Sequence, residues 1–284
     1  MTNIWLSAFS DEAGKSLDEQ IAALQRNGVI YTELRTVDGT NVKKLTEEEA
    51  TQIQSRLSAA GIRVWALGSP LGKVDITADP EESVAELRHL CRLCKIFGTD
   101  KIRMFSFFKA YESRELVVEY LRRLVAVAAE YGVTLCHENE KHIYGDVADR
   151  VAELLDAVPG MASVYDPANF LQVGELPEKT LSMLHARSAY FHIKDVIVET
   201  GELVPAGYGD GAIDRLVAMI DRDTVLTVEP HLAIFQGYAE IDGEQMKNKF
   251  RFASNAESFD AAIAAIKKVL VDAGYAEENG CFVK

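Results

Sequence analysis

The segment Tyr131-Gly-Val-Thr-Leu-Cys-His-Glu138-Asn-Glu140 holds, in one short run, the pattern that repeats along this chain. Its glycine at position 132 can take the left-handed conformation that ends a helix. The short apolar run at 133–137 then predicts a buried strand. Acidic side chains follow where that strand ends. The segment therefore predicts a junction from helix to strand with a polar end.

The same unit recurs eight times, at starts 25 to 39 residues apart, which is the size of one strand–helix unit. Buried strands alternating with amphipathic helices imply a parallel sheet covered on both faces. The predicted strands are Ile4–Phe9, Val29–Leu34, Ile62–Leu67, Lys101–Phe107, Val133–His137, Ala162–Tyr165, Tyr190–Ile193 and Val225–Val228. The predicted helices are Leu17–Arg26, Thr46–Ala60, Pro80–Phe97, Ser113–Tyr131, Asp146–Val158, Pro177–His185, Ala212–Asp221 and Ala256–Ala273.

Eight such units favour a closed barrel over an open sheet, so we expect an α/β fold in which residues 1–284 form a single (β/α)8 barrel domain. An open, doubly wound sheet is the alternative. The glycine-rich turn of a dinucleotide fold is absent, because Ser10–Lys15 reads SDEAGK instead of GxGxxG. The connection Pro230–Asn255, between the eighth strand and the last helix, is unusually long. Its length predicts either a decoration of the rim or a lid over the barrel mouth.

Composition argues against several classes of protein. The net charge of −14 opposes binding to a nucleic-acid backbone, which needs a surplus of lysine and arginine. No apolar stretch is long enough to span a membrane, and the first residues lack a basic leader, so a cytoplasmic protein is expected. Cys91 and Cys94 have CxxC spacing but lie within a predicted helix and lack a second pair, which favours packing cysteines. A homo-oligomer is possible.

Four consecutive predicted strands, the fifth to the eighth, end in Glu138, Asp166, His192 and Glu229. Active sites of such barrels lie at the carboxyl ends of the strands. Each residue alone could be a helix cap, a loop residue or a packed histidine. Together, three buried carboxylates and an imidazole would be costly without a compensating charge, so we expect one divalent metal ion. The oxygen-rich set suits Mn²⁺ best, with Mg²⁺, Co²⁺ or Zn²⁺ as alternatives.

These strand ends resemble the xylose isomerase-like TIM barrels, the sugar phosphate isomerase/epimerase superfamily, over essentially the whole chain. The resemblance implies that Glu138, Asp166, His192 and Glu229 are metal ligands. It also implies that Glu138 and Glu229 are the acid–base pair on opposite faces of the substrate. The segments that carry it are Cys136–Asn139 (CHEN), Val164–Asn169 (VYDPAN), Phe191–Asp195 (FHIKD) and Val228–His231 (VEPH).

Two positions depart from the epimerase pattern. Asn169 stands where the epimerases usually carry a histidine that touches the substrate, and the Lys194-Asp195 pair is closer to the dehydratase-like branch. Lys194 could hold a substrate oxygen, or it could pair with a neighbouring carboxylate. The side chains predicted to contact substrate are Lys194, His142, Asn169, His231, Glu33 and Trp65.

The leading functional hypothesis is a metal-dependent isomerase or epimerase that acts on a ketose or keto-sugar derivative through a metal-stabilised enediolate. A dehydratase or lyase acting on a keto-sugar or keto-inositol at the same site is the alternative. A nuclease like endonuclease IV is disfavoured because six histidines are too few for its metal cluster and the chain is acidic. A non-catalytic protein that binds a sugar or polyol is the remaining class.

Overall fold

The computed structural model describes residues 2–233 and 252–284. Eight parallel strands form the centre of one curled sheet, with the helices around it. This is the (β/α)8 barrel fold that the repeated units predict. The strands are β1 (Asn3–Ala8), β2 (Tyr31–Leu34), β3 (Arg63–Leu67), β4 (Lys101–Met104), β5 (Thr134–Glu138), β6 (Ala162–Tyr165), β7 (Ser188–Ile193) and β8 (Thr224–Val228).

Strand pairing follows the chain order around the barrel. The hydrogen-bonded order is β1-β8-β7-β6-β5-β4-β3-β2, and every pair in it is parallel. At the seam between β1 and β2, the Thr32 hydroxyl donates to the Ala8 carbonyl at 3.1 Å. Consecutive parallel strands bring all their carboxyl ends to one face of the barrel, so side chains at strand ends converge there.

All eight predicted helices are found within a few residues of their predicted ends, and the described part of the chain contains one further short helix, α6 (Pro167–Gln172). They are α1 (Leu17–Arg26), α2 (Glu47–Ala59), α3 (Pro80–Phe97), α4 (Arg114–Ala129), α5 (Ala148–Ala157), α6 (Pro167–Gln172), α7 (Pro177–Leu184), α8 (Ile213–Ala218) and α9 (Asn255–Asp272). A capping box begins α2: the Thr46 hydroxyl accepts from the Glu49 amide and the Glu49 carboxylate accepts from the Thr46 amide. Gly98 ends α3 in the left-handed conformation.

Several short elements are absent from the prediction. Helix α6 is one of them, because its six residues are too few for a visible apolar period. Another is a hairpin that pairs Asp195–Ile197 with Glu202–Val204 after β7. A third is the C-terminal hairpin Ala276–Glu278 and Cys281–Val283, whose second strand runs antiparallel to β1. That strand extends the sheet at the amino-terminal half of β1.

The predicted long connection at 230–255 lies largely outside the described residues, which omit 234–251. Its ends agree with the structure, because β8 ends at Val228 and α9 begins at Asn255. Among the helices of the described ranges, none combines the length and the apolar character that crossing a membrane requires.

Candidate metal centre

The four predicted strand-end residues meet at the carboxyl face of the barrel. Glu138 is the last residue of β5, His192 lies near the end of β7, and Asp166 and Glu229 directly follow β6 and β8. All four are buried, and one ligand-type atom from each lies within 4.8 Å of the others. The parallel pairing of β5 to β8 produces this convergence, because it brings the carboxyl ends of the four strands side by side.

His192 lies at the centre of the group. Its Nδ1 is 2.9 Å from Glu138 Oε1 and 3.8 Å from Glu229 Oε2. Its other ring nitrogen, Nε2, is 3.0 Å from Glu33 Oε2. Burial alone would lower the pKa of this imidazole, but the charges of Glu138 and Glu33 outweigh it and raise the pKa to about 10. Glu33, which was predicted to contact substrate, therefore contacts His192 Nε2 and fixes the orientation of the imidazole ring.

Glu138 is buried, but positively charged side chains surround its carboxylate. Burial would raise its pKa, yet His192 and Arg103 outweigh that effect and lower the pKa to about 2. Arg103 Nη1 donates to Glu138 Oε2 at 2.9 Å. The second oxygen, Oε1, is thus the one that faces His192. In this arrangement Glu138 is an ionised carboxylate.

Lys194 lies between the remaining two carboxylates. Its Nζ is 3.1 Å from Glu229 Oε2 and 3.2 Å from Asp166 Oδ2. Burial raises the pKa of Asp166 to about 7, although Lys194 opposes the shift. For Glu229, burial is outweighed by Lys194 and other positive neighbours, and its pKa lies well below the usual value. Lys194 thus pairs with two members of the group, which is one of the two roles that the sequence left open for it.

A second set of charged groups surrounds the outer oxygen of Glu229. Arg35 Nη1 donates to Glu229 Oε1 at 3.3 Å, and the same guanidinium binds both oxygens of Asp11 at 2.9 and 3.0 Å. It also donates to Glu12 Oε1 at 3.0 Å. Burial raises the pKa of Glu12 to about 8, against the charge of Arg35. His231 lies beside this set, with Nε2 3.7 Å from Glu229 Oε1.

The residues present fit a divalent cation. Three carboxylates and one imidazole form a donor set typical of oxygen-preferring metals. Within the described part of the chain, the buried Asp166 Oδ2 receives no hydrogen bond, although Lys194 Nζ lies 3.2 Å away, so it has a lone pair to offer. His192 Nδ1 points into the group while Glu33 holds Nε2, an arrangement that orients many metal-binding histidines.

The other residues predicted to contact substrate are spread more widely. Asn169 lies at the site, with Nδ2 3.4 Å from Glu138 Oε1 and its backbone amide donating to Asp166 Oδ1. His142 is exposed in the loop after β5. Trp65 does not reach the mouth: its ring lies 5.9 Å from that of Tyr31, the first residue of β2, at the opposite end of the barrel. Its position inside β3, rather than after it, explains this placement.

The arginine at position 103 is a site residue that the sequence reasoning missed. It lies inside β4 and is almost fully buried, with Nη1 on Glu138 and Nη2 donating to the Gly68 carbonyl at 3.1 Å. A signal was present, since Arg103 interrupts the apolar run of the fourth strand. A charge inside a buried strand requires a buried partner.

The fold is shared with several solved structures. A D-allulose 3-epimerase from Methylomonas sp. is 15% identical with a TM-score of 0.71, covering 95% of this chain and 99% of that chain. The IolI protein with a bound zinc atom is 18% identical with a TM-score of 0.71, covering 95% and 97%. The probable 3-DHS dehydratase AsbF from Bacillus anthracis is 17% identical with a TM-score of 0.69, covering 94% and 99%. At these identities the likeness shows the fold alone.

A search among curated protein sequences found no match. A family profile, however, matches residues 21–234, which is well over half of the chain, and its description is the xylose isomerase-like TIM barrel. The matched range contains β2 to β8 and all four residues of the candidate metal centre. The chain therefore belongs to the xylose isomerase-like TIM barrel family.

Proposed function

We propose that the protein is a divalent-metal-dependent isomerase or epimerase that moves a proton next to the carbonyl of a ketose or keto-sugar derivative. The observation that carries the proposal is the meeting of Glu138, Asp166, His192 and Glu229 within 4.8 Å. These four residues would hold the metal. When bound, the metal would stabilise negative charge on the substrate's carbonyl oxygen and so acidify the neighbouring carbon. We expect Mn²⁺, because three of the four donors are carboxylates.

Glu138 and Glu229 are the proposed proton carriers. Both are ionised in the metal-free protein, since their pKa values lie at about 2 and well below the usual value. One ionised carboxylate can remove a proton from one face of the carbon, and the other carboxylate, once it has taken up a proton from solvent, can donate that proton to the opposite face. Asn169, Lys194 and His231 border these carboxylates and are the proposed contacts to substrate hydroxyl groups. His142 could reach a substrate only from the rim.

A deuterium exchange experiment tests the proposal. The Mn²⁺-loaded protein is incubated with a panel of ketoses and keto-inositols in D₂O and followed by NMR and mass spectrometry. We expect a product with retained mass plus one deuterium, and a loss of about 10²- to 10⁴-fold in rate for Glu138→Gln. Glu130→Gln, a change on the exposed end of α4, is the matched control. Full activity in Glu138→Gln on every substrate would refute the assignment.

One observation favours a second candidate, a lyase that expels water from a keto-sugar. The Lys194 ammonium lies 3.1 Å from Glu229 and could donate a proton to a leaving hydroxyl group. The similar structure described as a probable dehydratase is consistent with such chemistry on this fold. In the same experiment, loss of water instead of retained mass would select this reaction. In that case Lys194→Met should abolish elimination.

A further inference from the structure

Two buried arginines hold the two proposed proton carriers in the same way. Arg103, on β4, donates to Glu138 Oε2 at 2.9 Å, and Arg35, directly after β2, donates to Glu229 Oε1 at 3.3 Å. The other oxygen of each carboxylate faces His192 Nδ1, at 2.9 Å for Glu138 Oε1 and 3.8 Å for Glu229 Oε2. Each carboxylate therefore has one oxygen on an arginine and one toward the candidate metal centre.

Each guanidinium is itself fixed by a further partner. Arg103 Nη2 donates to the carbonyl of Gly68 at 3.1 Å. Arg35 uses Nε and Nη2 to bind both oxygens of Asp11. The planar fork of arginine makes such double contacts, whereas the single nitrogen of lysine cannot bridge two partners in the same geometry. The direction of each hydrogen bond to the carboxylate is thus set by the fork.

Both buried arginines pack over the ring of Phe9. The Cζ atoms of Arg35 and Arg103 lie 4.3 and 5.2 Å from its centroid, and the His192 ring meets it edge-on at 5.2 Å. The ring is completely buried. Gly68 leaves space for it, because a Cβ at this position would lie 2.6 Å from Phe9 Cε1. One aromatic ring thereby sets the position of both guanidinium groups relative to His192.

We propose that Arg103 and Arg35 are paired positioning residues, with Phe9 as the ring against which both guanidinium groups pack. Each occupies one oxygen of a proton-carrying carboxylate, so that the other oxygen faces the candidate metal centre; in Glu229 that oxygen also accepts from Lys194 Nζ at 3.1 Å. This inference rests on the proposed function, because it assigns the two carboxylates to proton transfer. A mere counter-charge would be replaceable by lysine. A positioning group would not, since the hydrogen bond must keep its direction.

The test uses Arg103→Lys and Arg35→Lys, with Arg92→Lys on the exposed face of α3 as the matched control. All are loaded with saturating Mn²⁺, and solvent deuterium exchange is measured from each member of an epimer pair. We expect exchange to slow about 10- to 100-fold, as is typical when a partner of a ligand is lost. The loss should be specific to one face: Arg103→Lys slows the epimer whose hydrogen faces Glu138, and Arg35→Lys slows the other. Wild-type rates in both variants, or equal losses from both epimers in each, would overturn the proposal.

A spectroscopic measurement keeps the proposal testable without turnover. The Mn²⁺ EPR spectrum of each loaded variant should differ from the wild-type spectrum, because the released carboxylate can present its second oxygen to the metal. Phe9→Leu retains both arginines and should alter the spectrum in the same sense, which covers the case that a lysine variant fails to fold. An unchanged spectrum in all three variants would contradict the proposal. If wild-type protein exchanges no hydrogen on any sugar, the proposed function fails while the EPR comparison still decides the role of the arginines.

Discussion

At the scale of single residues, His192 shows how the barrel fixes the orientation of a proposed metal ligand. Glu33 on one side and Glu138 on the other hold both ring nitrogens, and all three side chains are buried. Tyr190 adds a hydrogen bond to the second oxygen of Glu33 at 3.1 Å. The hydrogen-bonded series Tyr190–Glu33–His192 therefore fixes the orientation of the imidazole ring in the metal-free protein.

Glu33→Gln should weaken metal binding without removing a ligand. The neutral amide can still form a hydrogen bond to His192 Nε2, but it no longer makes the imidazole a better donor. We expect the affinity for Mn²⁺ to fall about 10- to 100-fold, measured by titration calorimetry. Glu130→Gln serves as the control. An unchanged dissociation constant would mean that Glu33 contributes packing alone.

Asp195 organises the loop after β7 from inside. Its buried carboxylate accepts hydrogen bonds from the backbone amides of Val196, Gly207, Gly209 and Gly211. Asp195→Asn replaces one acceptor oxygen with an amide that cannot accept, so about 1–3 kcal/mol of stability should be lost. Amide exchange of residues 196–211 should become faster. Asp210→Asn in the same loop, which concerns one amide at an exposed position, should leave that exchange nearly unchanged.

Some residues of the candidate site could be predicted from the sequence and others could not, for a physical reason. Glu138, Asp166, His192 and Glu229 were visible because each ends a strand, and parallel strands end at one face. The roles of Glu33 and Arg103 were not visible, because each depends on which side of its strand faces the barrel interior. Short, continuously apolar strands carry no alternation that would show that side. The prediction for Trp65 was wrong for a related reason. An apolar run does not show where along the strand a residue lies, and Trp65 lies inside β3 and not at its carboxyl end.

At the scale of elements, the seam between β1 and β2 is the least regular part of the sheet. Within the described ranges these two strands are not neighbours in the hydrogen-bonded order, and the C-terminal strand Cys281–Val283 pairs with the beginning of β1 instead. The turn of the hairpin passes close to Ile30, just before β2, because a Cβ at Gly280 would lie only 3.2 Å from Ile30 Cγ2. The C-terminal hairpin therefore covers the seam from one end.

Phe282→Ala tests the contribution of that hairpin. Phe282 is buried and pairs in register with Ile4 of β1. Removing a buried phenylalanine typically costs about 3–5 kcal/mol, so the free energy of unfolding in urea should fall by that amount. Val283→Ala, at a half-buried position beside it, should cost clearly less. If both changes lowered the free energy of unfolding by the same small amount, the hairpin would contribute little to stability.

The first and last helices of the described part are joined by one ion pair. Arg26 of α1 donates to both oxygens of Asp260 of α9, and Asn27 adds a third hydrogen bond. Burial alone would raise the pKa of Asp260, but these partners lower it below 3.8. A carboxylate whose pKa is lowered in the folded state stabilises the protein above its unfolded pKa. That contribution is lost as the pH falls through the folded value.

Asp260→Asn should therefore destabilise the protein in a pH-dependent way. At pH 7 we expect a loss of up to about 1 kcal/mol, since both side chains are partly exposed and screened by solvent. The difference from wild type should shrink as the pH is lowered toward 3. Urea unfolding at several pH values measures it, and a double-mutant cycle with Arg26→Met isolates the pair. A difference that stays constant with pH would assign the effect to packing.

At the scale of the whole molecule, positively charged side chains cluster at the barrel mouth although the chain has a net charge of −14. Arg35, Arg103, Lys194 and His192 all lie among the carboxylates at the barrel mouth, and all are buried. The repeated strand–helix unit predicted the barrel, and the barrel predicted the face at which polar residues meet. The repeated unit did not predict which of these buried charged side chains pair with one another. Pairing there depends on contacts between residues far apart in the sequence, such as Arg35 with Glu229, that no local pattern encodes.

Metal binding should stabilise the entire barrel, because the four proposed ligands come from four different strands. A ligand that binds only the folded state stabilises it by about 2.7 kcal/mol at a concentration 100-fold above its dissociation constant. Calorimetric melting of the metal-free protein with and without Mn²⁺ should show a Tm increase of several degrees, on the order of 2–4 °C per kcal/mol. Asp166→Asn removes one ligand and should abolish most of the increase. Asp156→Asn, on the exposed face of α5, should retain it. A full increase in Asp166→Asn would place the metal elsewhere and separate the barrel's stability from the four strand ends.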